Sequence, residues 1–108
     1  MNAQFWSVYV PAETDAAGTA LLQTIQQIDL VENMIKRYPD AFEMASTADD
    51  LERIAKSGKI ASMMGIEGGY SIENSLDNIQ RLYDRGCRYM TLTHSKSLEW
   101  ADSATDDP

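Results

Sequence analysis

"KIASMMGIE", Lys59–Glu67, is the stretch that decides the fold, because it is a nearly continuous apolar run of only nine residues. A run of this length is too short for an independent helix and is typical of a strand that is buried on both faces. We therefore predict a strand near 59–67, with Met63 and Met64 in the hydrophobic core.

Two further stretches predict strands before and after this one in the chain. "AQFWSVYV" (Ala3–Val10) is rich in aromatic and branched residues and stops at Pro11, which cannot donate a hydrogen bond to a sheet. It predicts a strand near 3–10. "CRYMTLTH" (Cys87–His94) has the same character and predicts a strand near 87–94.

The segment between the first two strands carries two helical patterns. Apolar residues recur at steps of three and four within Leu21–Tyr38, which predicts a helix near 20–37 with one apolar stripe. Farther on, Ser46 or Thr47 is placed to cap a second helix near 47–57, with acidic residues in its first turn.

A third helix is predicted near 71–85, between the second and third strands. Ser71 is placed to cap it, and Gly86 to end it. Its buried stripe is predicted to consist of four residues at helical spacing: Ile72, Leu76, Ile79 and Tyr83.

The order of these elements indicates an α/β fold. Strand, helix, helix, strand, helix and strand follow one another, which favours parallel strands joined by right-handed crossovers. Three parallel strands alone leave both edges of the sheet unpaired. A complete (β/α)8 barrel needs about 250 residues, whereas this chain has 108. We therefore expect one piece, residues 1–108, of a larger α/β domain.

Composition excludes several classes of protein. The net charge is -8 and the nine lysine and arginine residues are scattered, so a surface that neutralises phosphates, and hence a nucleic-acid partner, is not expected. A single cysteine, Cys87, excludes an intrachain disulfide and is interpreted as a buried thiol. No apolar run approaches the roughly 18 residues of a membrane span, and the start of the chain lacks signal-peptide features. As given, the chain is expected to be soluble.

The best candidates for chemistry are an acid and an imidazole at neighbouring strand ends. Glu67 lies in the glycine-rich turn "GIEGGYS" at the end of one predicted strand, and His94 ends the next. In parallel β/α folds the carboxyl ends of the strands share one rim, where ligands bind. The pair therefore predicts a metal-binding or acid–base site, the alternative being a solvated glutamate and a structural histidine.

Two other kinds of site fit this turn poorly. Its glycines do not match G-x-G-x-x-G, and Glu67 would repel an anion, which argues against a phosphate cradle. No G-x-S-x-G motif occurs for a serine nucleophile.

Three stretches resemble the membrane dipeptidase family, also called renal dipeptidases, which are zinc metallopeptidases: "AQFWSVYVP", "GKIASMMGIEGGYSIENSL" and "RYMTLTHSKSLEWADSATD". The resemblance covers nearly all of the chain. It implies a (β/α)8 TIM-type barrel of the metal-dependent hydrolase type, of which this chain supplies about three strands. It also implies two zinc ions bridged by Glu67, with His94 as a substrate contact that hydrogen-bonds the scissile carbonyl or the developing oxyanion.

The chain departs from the family pattern in ways that limit this expectation. Family members take further zinc ligands from a His-x-Asp pair and from two later histidines, and they use a later Asp as proton shuttle. None of these is present, because His94 is the only histidine. We therefore expect an internal fragment that is inactive alone. Tyr70 stands where the family usually has His, which puts the hydrogen bonding around the ligand in doubt.

The location and the surroundings of the site are less constrained. Ala12 and Lys96 stand where secreted animal members carry cysteines, which favours a bacterial-type cytoplasmic or periplasmic enzyme. Trp100 and Asp102 follow the His94 strand and are candidates to border the substrate pocket, an ordinary surface loop being the alternative.

The expected function is hydrolysis of the peptide bond of dipeptides by metal-activated water. One alternative is a non-catalytic remnant whose exposed apolar helix faces pair with another chain or with a second copy. The other alternative is a different amide hydrolase of the same superfamily.

Overall fold

A parallel sheet organises the computed structural model, which describes residues 1–107. Its four strands are β1 Ala3–Tyr9, β2 Phe42–Met44, β3 Ile60–Glu67 and β4 Cys87–Met90. The helices are α1 Glu13–Ala16, α2 Ala20–Arg37, α3 Ala48–Lys56 and α4 Leu76–Asp84, and a short 3-10 turn spans Gly69–Ile72.

β3 is the central strand of this sheet. β1 pairs with it in parallel along one edge, from Ala3 opposite Ala61 to Tyr9 opposite Glu67. The other edge is shared, because β2 pairs with the beginning of β3 and β4 pairs with its second half. β3 is buried along almost its whole length, so the expectation of a strand covered on both faces is met.

α2 and α4 pack on one face of the sheet and form the main core with it. The core cluster consists of buried apolar residues from β1, α2, β3, the 3-10 turn, α4 and β4: Val8, Ile28, Met64, Ile66, Ile72, Leu82 and Cys87. Met63 lies in a second cluster, so both methionines of β3 are core residues. Burial raises the pKa of the free Cys87 thiol to about 11, as befits an apolar packing residue.

The predicted third helix is wrong at its beginning. Ser71 belongs to the 3-10 turn, and its oxygen accepts a hydrogen bond from the buried Thr24 hydroxyl at 2.9 Å. Glu73 and Asn74 then adopt left-handed backbone conformations, with φ of 51° and 56°, so a continuous helix cannot pass through them. The helix begins only at Leu76, after Ser75.

The predicted buried stripe of that helix is also mostly wrong. Ile72 is buried, but it lies in the 3-10 turn, whereas Leu76 is 78% exposed and both Ile79 and Tyr83 are exposed. Within α4 the buried residues are Asn78 and Leu82. Leu76, Ile79 and Tyr83 all lie within α4 and share one apolar face. That face stays exposed in the described residues, because α4 packs on the core through Leu82 instead.

Two other differences concern short elements. β4 ends at Met90 rather than at His94, so the imidazole is carried by irregular chain beyond the strand. α1 and β2 were not predicted, because segments of four and three residues are too short to show a periodicity. Within residues 1–107 no helix combines the length and the apolar character that a membrane span requires.

The cap of α3 provides a test of the local structure. The Thr47 hydroxyl accepts a hydrogen bond from the Asp50 backbone N–H at 3.1 Å, whereas Ser46 donates its own backbone N–H to the Asp50 carboxylate. Thr47→Ala should therefore lower the free energy of unfolding by about 1 kcal/mol. Ser46→Ala should change it by less than about 0.5 kcal/mol. Urea denaturation of both variants checks this, and equal losses would contradict the assignment of Thr47 as the cap.

Candidate active site

Glu67 and His94 meet at one rim of the sheet. Glu67 is the last residue of β3, and its Oε2 lies 3.5 Å from Nε2 of His94. Both side chains are partly open to solvent, 34% and 42% exposed respectively. This distance is at the long end for a hydrogen bond, so the two groups are close neighbours without a short hydrogen bond between them. Glu67 and His94, which the sequence placed at the ends of neighbouring strands, therefore lie side by side in the structure.

A glycine turn links the two residues through the backbone. The Gly68 N–H donates to Oγ1 of Thr91 at 2.9 Å, and the Gly69 N–H donates to the Leu92 carbonyl at 3.0 Å. The Thr91 N–H in turn donates to the Ile66 carbonyl at 3.0 Å. These hydrogen bonds connect the turn after Glu67 to the segment that leads to His94, beyond the point where β4 ends.

The glycines in this turn are required by backbone conformation and by close contacts. Gly68 has a φ of 103°, a conformation that L side chains rarely adopt. A Cβ on Gly69 would lie 2.6 Å from the Leu92 carbonyl oxygen and 2.5 Å from the Trp100 ring. The Glu67 carboxylate is therefore presented by a turn that another sequence could not easily form.

Tyr9 is a third residue of this rim that the sequence analysis missed. It is the last residue of β1 and pairs in register with Glu67. Its ring centroid lies 5.1 Å from that of His94, at an interplanar angle of 54°. The sequence contained a signal for this residue, because Tyr9 stands at the end of a predicted strand just as Glu67 does. Tyr9 also lies between the buried Val8 and Val10, so its side chain points to the opposite face of the sheet.

Below this rim the same face of the sheet is aromatic. Phe5 and Tyr89 make an edge contact at 5.2 Å between ring centroids. The Tyr89 ring lies directly on Gly65, where an added Cβ would be 2.0 Å from it. Phe5, Tyr9 and Tyr89 are each about 40% exposed, so the aromatic part of this face is open within the described residues. Polar groups at the rim thus stand above an apolar floor.

The loop after His94 is held by its own side chains. Ser103 is buried and its hydroxyl donates to the His94 carbonyl at 2.8 Å. The Asp106 carboxylate accepts from the Ser97 N–H at 2.9 Å and pairs with Lys96 at 3.1 Å. The backbone that carries the imidazole is therefore fixed from the loop as well as from the glycine turn.

The two loop residues singled out earlier differ in their contacts. The Trp100 indole packs against Gly69 and donates through Nε1 to Oδ1 of Asn74 at 3.1 Å. Trp100 therefore borders the turn that carries Glu67. Asp102 is exposed and contributes its backbone carbonyl to a hydrogen bond from Thr93.

Glu67 has the character of a metal ligand, but it does not form a complete site with its neighbours. A carboxylate offers two oxygens to a hard or borderline cation, and this one lies at an accessible strand end. Within residues 1–107, however, no three His, Cys, Asp or Glu side chains come together as a cation would require. The described residues therefore fit one part of a metal centre.

Comparison with known proteins gives consistent matches. The model of a family described as membrane dipeptidase (peptidase family M19) matches residues 1–108. Dipeptidase ataJ of Aspergillus terreus is 41% identical over an alignment 113 residues long. This alignment covers 98% of this chain and 28% of the relative. Dipeptidase 3 of Mus musculus is 40% identical over 105 residues, which cover 97% of this chain and 20% of the relative. The chain thus spans between a fifth and three tenths of the length of these relatives.

The fold has a counterpart among solved structures. An amidohydrolase from Pseudomonas aeruginosa superimposes with a TM-score of 0.80 at 13% sequence identity, over 92% of this chain and 28% of that chain. This likeness confirms the predicted fold class, part of a TIM-type α/β barrel.

Thr91 provides a test of the link between Glu67 and His94. Thr91→Val keeps the shape of the side chain but removes the acceptor for the buried Gly68 N–H. We expect the free energy of unfolding to fall by about 1–3 kcal/mol. Thr91→Ser keeps the oxygen and should stay within about 0.5 kcal/mol of the original protein. Denaturant unfolding measures both values, and equal losses would show that the hydroxyl is not the important acceptor.

Asp106 provides a test by pH. The hydrogen bond from the Ser97 N–H, aided by Lys96, lowers the pKa of the Asp106 carboxyl. Because the folded-state pKa is the lower one, this interaction stabilises the loop above the ordinary carboxyl pKa of about 4. The stabilisation is lost as the pH falls through the lowered value. The Ser97 amide proton should therefore titrate in NMR spectra with a midpoint below the ordinary aspartate pKa of 3.8, and Asp106→Asn should abolish that titration. A midpoint at or above 3.8 would contradict the hydrogen bond.

Proposed function

The chain belongs to the membrane dipeptidase family, as its motifs indicated, and on this premise we propose that the protein is a zinc-dependent dipeptidase. The observation that carries the proposal is the 3.5 Å approach of Glu67 to His94 at a strand-end rim. That rim lies inside the region that relatives named dipeptidases share with this chain at about 40% identity.

Glu67 is proposed as the ligand that bridges two zinc ions. Its carboxylate is partly exposed, and the glycine turn fixes the backbone on its carboxyl side. A rigidly held carboxylate has two oxygens and can therefore bind one cation with each of them. When bound, zinc supplies Lewis-acid chemistry and lowers the pKa of water, which is the chemistry that peptide hydrolysis needs.

His94 is proposed to orient the dipeptide. Its Nε2 lies near Glu67 and its side chain is 42% exposed, so a substrate can reach it, and we propose that it hydrogen-bonds the carbonyl of the bond to be cleaved. Tyr9 packs on the imidazole ring and Ser103 holds the backbone carbonyl, so both restrict its motion. A donor held in place before the reaction stabilises developing charge at little reorganisation cost.

The 108-residue chain by itself is proposed to be inactive. A binuclear site needs several ligands, and this chain contains one histidine. The relatives are several times longer than the matched region, so the remaining ligands have room to lie outside it. We also propose a bacterial-type location, cytoplasmic or periplasmic, because Ala12 and Lys96 replace the cysteines of secreted animal members.

A non-catalytic, self-associating module is the second candidate. The observation that favours it is the exposed apolar side of α4, formed by Leu76, Ile79 and Tyr83. A self-associating module would not explain why Glu67, His94 and Tyr9 lie together at the rim, so we prefer the dipeptidase. The alternative of a different amide hydrolase gains no support from the Pseudomonas structure, since a likeness at 13% identity shows the fold alone.

Glu67→Gln in the complete protein tests the proposal. The amide has the same shape but lacks the negative charge that holds the cations. Loss of a residue that only supports a metal ligand lowers metal affinity by about 10–100-fold. Glu67→Gln removes the ligand itself, so zinc affinity should fall by more than this, and dipeptide turnover should fall as well. The matched control is Glu99→Gln, because Glu99 is an exposed acid in the loop after His94. Zinc titration and dipeptide hydrolysis assays measure both effects.

His94→Asn separates the two proposed roles. If His94 orients substrate and does not hold metal, kcat should fall about 100- to 1,000-fold while zinc affinity stays nearly unchanged.

The proposal fails if Glu67→Gln binds zinc and turns over dipeptides normally. Hydrolysis of other amides but not of dipeptides would favour the amide hydrolase. Concentration-dependent association without any zinc binding would favour the self-associating module.

A further inference from the structure

Tyr70 is one of the most deeply buried large side chains of the described residues. It is 2% exposed, and its hydroxyl donates to the Val10 carbonyl at 2.6 Å. Val10 directly follows β1, whereas Tyr70 lies in the turn after β3. One side chain therefore joins the end of β1 to the turn that carries Glu67.

The ring of Tyr70 is interlocked with Gly68. A Cβ on Gly68 would lie 2.3 Å from Cε1 and Cζ of the ring, so the ring occupies the space that any other residue would need. Gly68 is the residue next to Glu67, and its φ of 103° sets the direction of the chain there. The ring therefore restricts the peptide that follows Glu67.

Contacts from the two neighbouring strands hold this turn from opposite sides. On the β4 side, Thr91 accepts from the Gly68 N–H. On the β1 side, Tyr70 packs on Gly68 and bonds Val10. Burial raises the pKa of the Tyr70 phenol to about 12, so the hydroxyl remains a hydrogen-bond donor at any ordinary pH.

From these contacts we propose that Tyr70 is a positioning residue for Glu67, which fixes the direction of the carboxylate by tying its turn to the end of β1. The inference rests on the proposed role of Glu67 as a metal ligand. A ligand must be held within about 0.5 Å of its productive position, and residues that support ligands are what hold it there. Tyr70 replaces the histidine usual at this position in the family, so the resemblance does not assign it this role.

Tyr70→Phe in the complete protein tests the inference, with Thr24→Val as the matched control. Each variant removes one buried hydroxyl without changing the shape of the side chain. Thr24 bonds Ser71 and so ties the turn to α2, while the bond to Val10 stays intact. Titration of Zn²⁺ against a chromophoric chelator should show about 10–100-fold weaker binding for Tyr70→Phe. Thr24→Val should stay within about twofold of the original affinity while losing a similar amount of thermal stability.

Amide hydrogen exchange of the metal-free protein separates this inference from the proposed function. Tyr70→Phe should speed exchange of the Gly68 N–H by about tenfold or more relative to Thr24→Val, because the turn opens more readily. If the original protein binds no zinc, the proposed function fails and the exchange result still decides the positioning role. Equal zinc affinity and equal exchange in the two variants would overturn the inference.

Tyr70→Leu is the second variant if Tyr70→Phe does not fold. Leucine keeps an apolar side chain in the buried position but has no group that can donate to the Val10 carbonyl. We expect its zinc affinity to fall by about tenfold or more, as for loss of a residue supporting a ligand. Unchanged affinity in this variant would show that the bond to Val10 does not position Glu67.

Discussion

Two hydrogen bonds from a glycine turn are the constraint on which the site depends. The sheet ladder ends with β4 at Met90, so it cannot hold His94 by itself. The Gly68 and Gly69 N–H groups extend the connection by donating to Thr91 and Leu92. Because the same turn follows Glu67 directly, the acid and the imidazole are fixed relative to each other.

The two faces of the sheet differ in character. α2 and α4 cover one face, where residues such as Ile66 and Leu82 form the core, and α3 packs on the other face near Met63. The other face carries aromatic rings below and the Tyr9–Glu67–His94 group at the rim. In a barrel such a face lines the interior, and the carboxyl ends of its strands form the mouth where substrates bind. An open polar rim above an apolar floor is the arrangement expected of a ligand site.

Local patterns in the sequence predict the parts of this structure that depend on local physics. The burial of β3 follows from its apolar run, and the neighbouring positions of the ends of β3 and β4 follow from the geometry of parallel strands. The approach of His94 to Glu67 also needs the glycine turn, because β4 ends before His94. The break before α4 could not be predicted in this way. It depends on left-handed residues, one of which, Glu73, accepts a hydrogen bond from the Leu21 N–H at the distant start of α2. Tyr70 is similar, because its partner Val10 is brought close only by the fold.

The most direct test is a crystal structure of the complete protein with Zn²⁺, with anomalous diffraction measured at the zinc absorption edge. We expect two zinc peaks, each about 2.0–2.2 Å from one oxygen of the Glu67 carboxylate. We also expect that His94 faces the ions without bonding to either. Zinc bound elsewhere, with the Glu67 carboxylate turned away from it, would contradict the account.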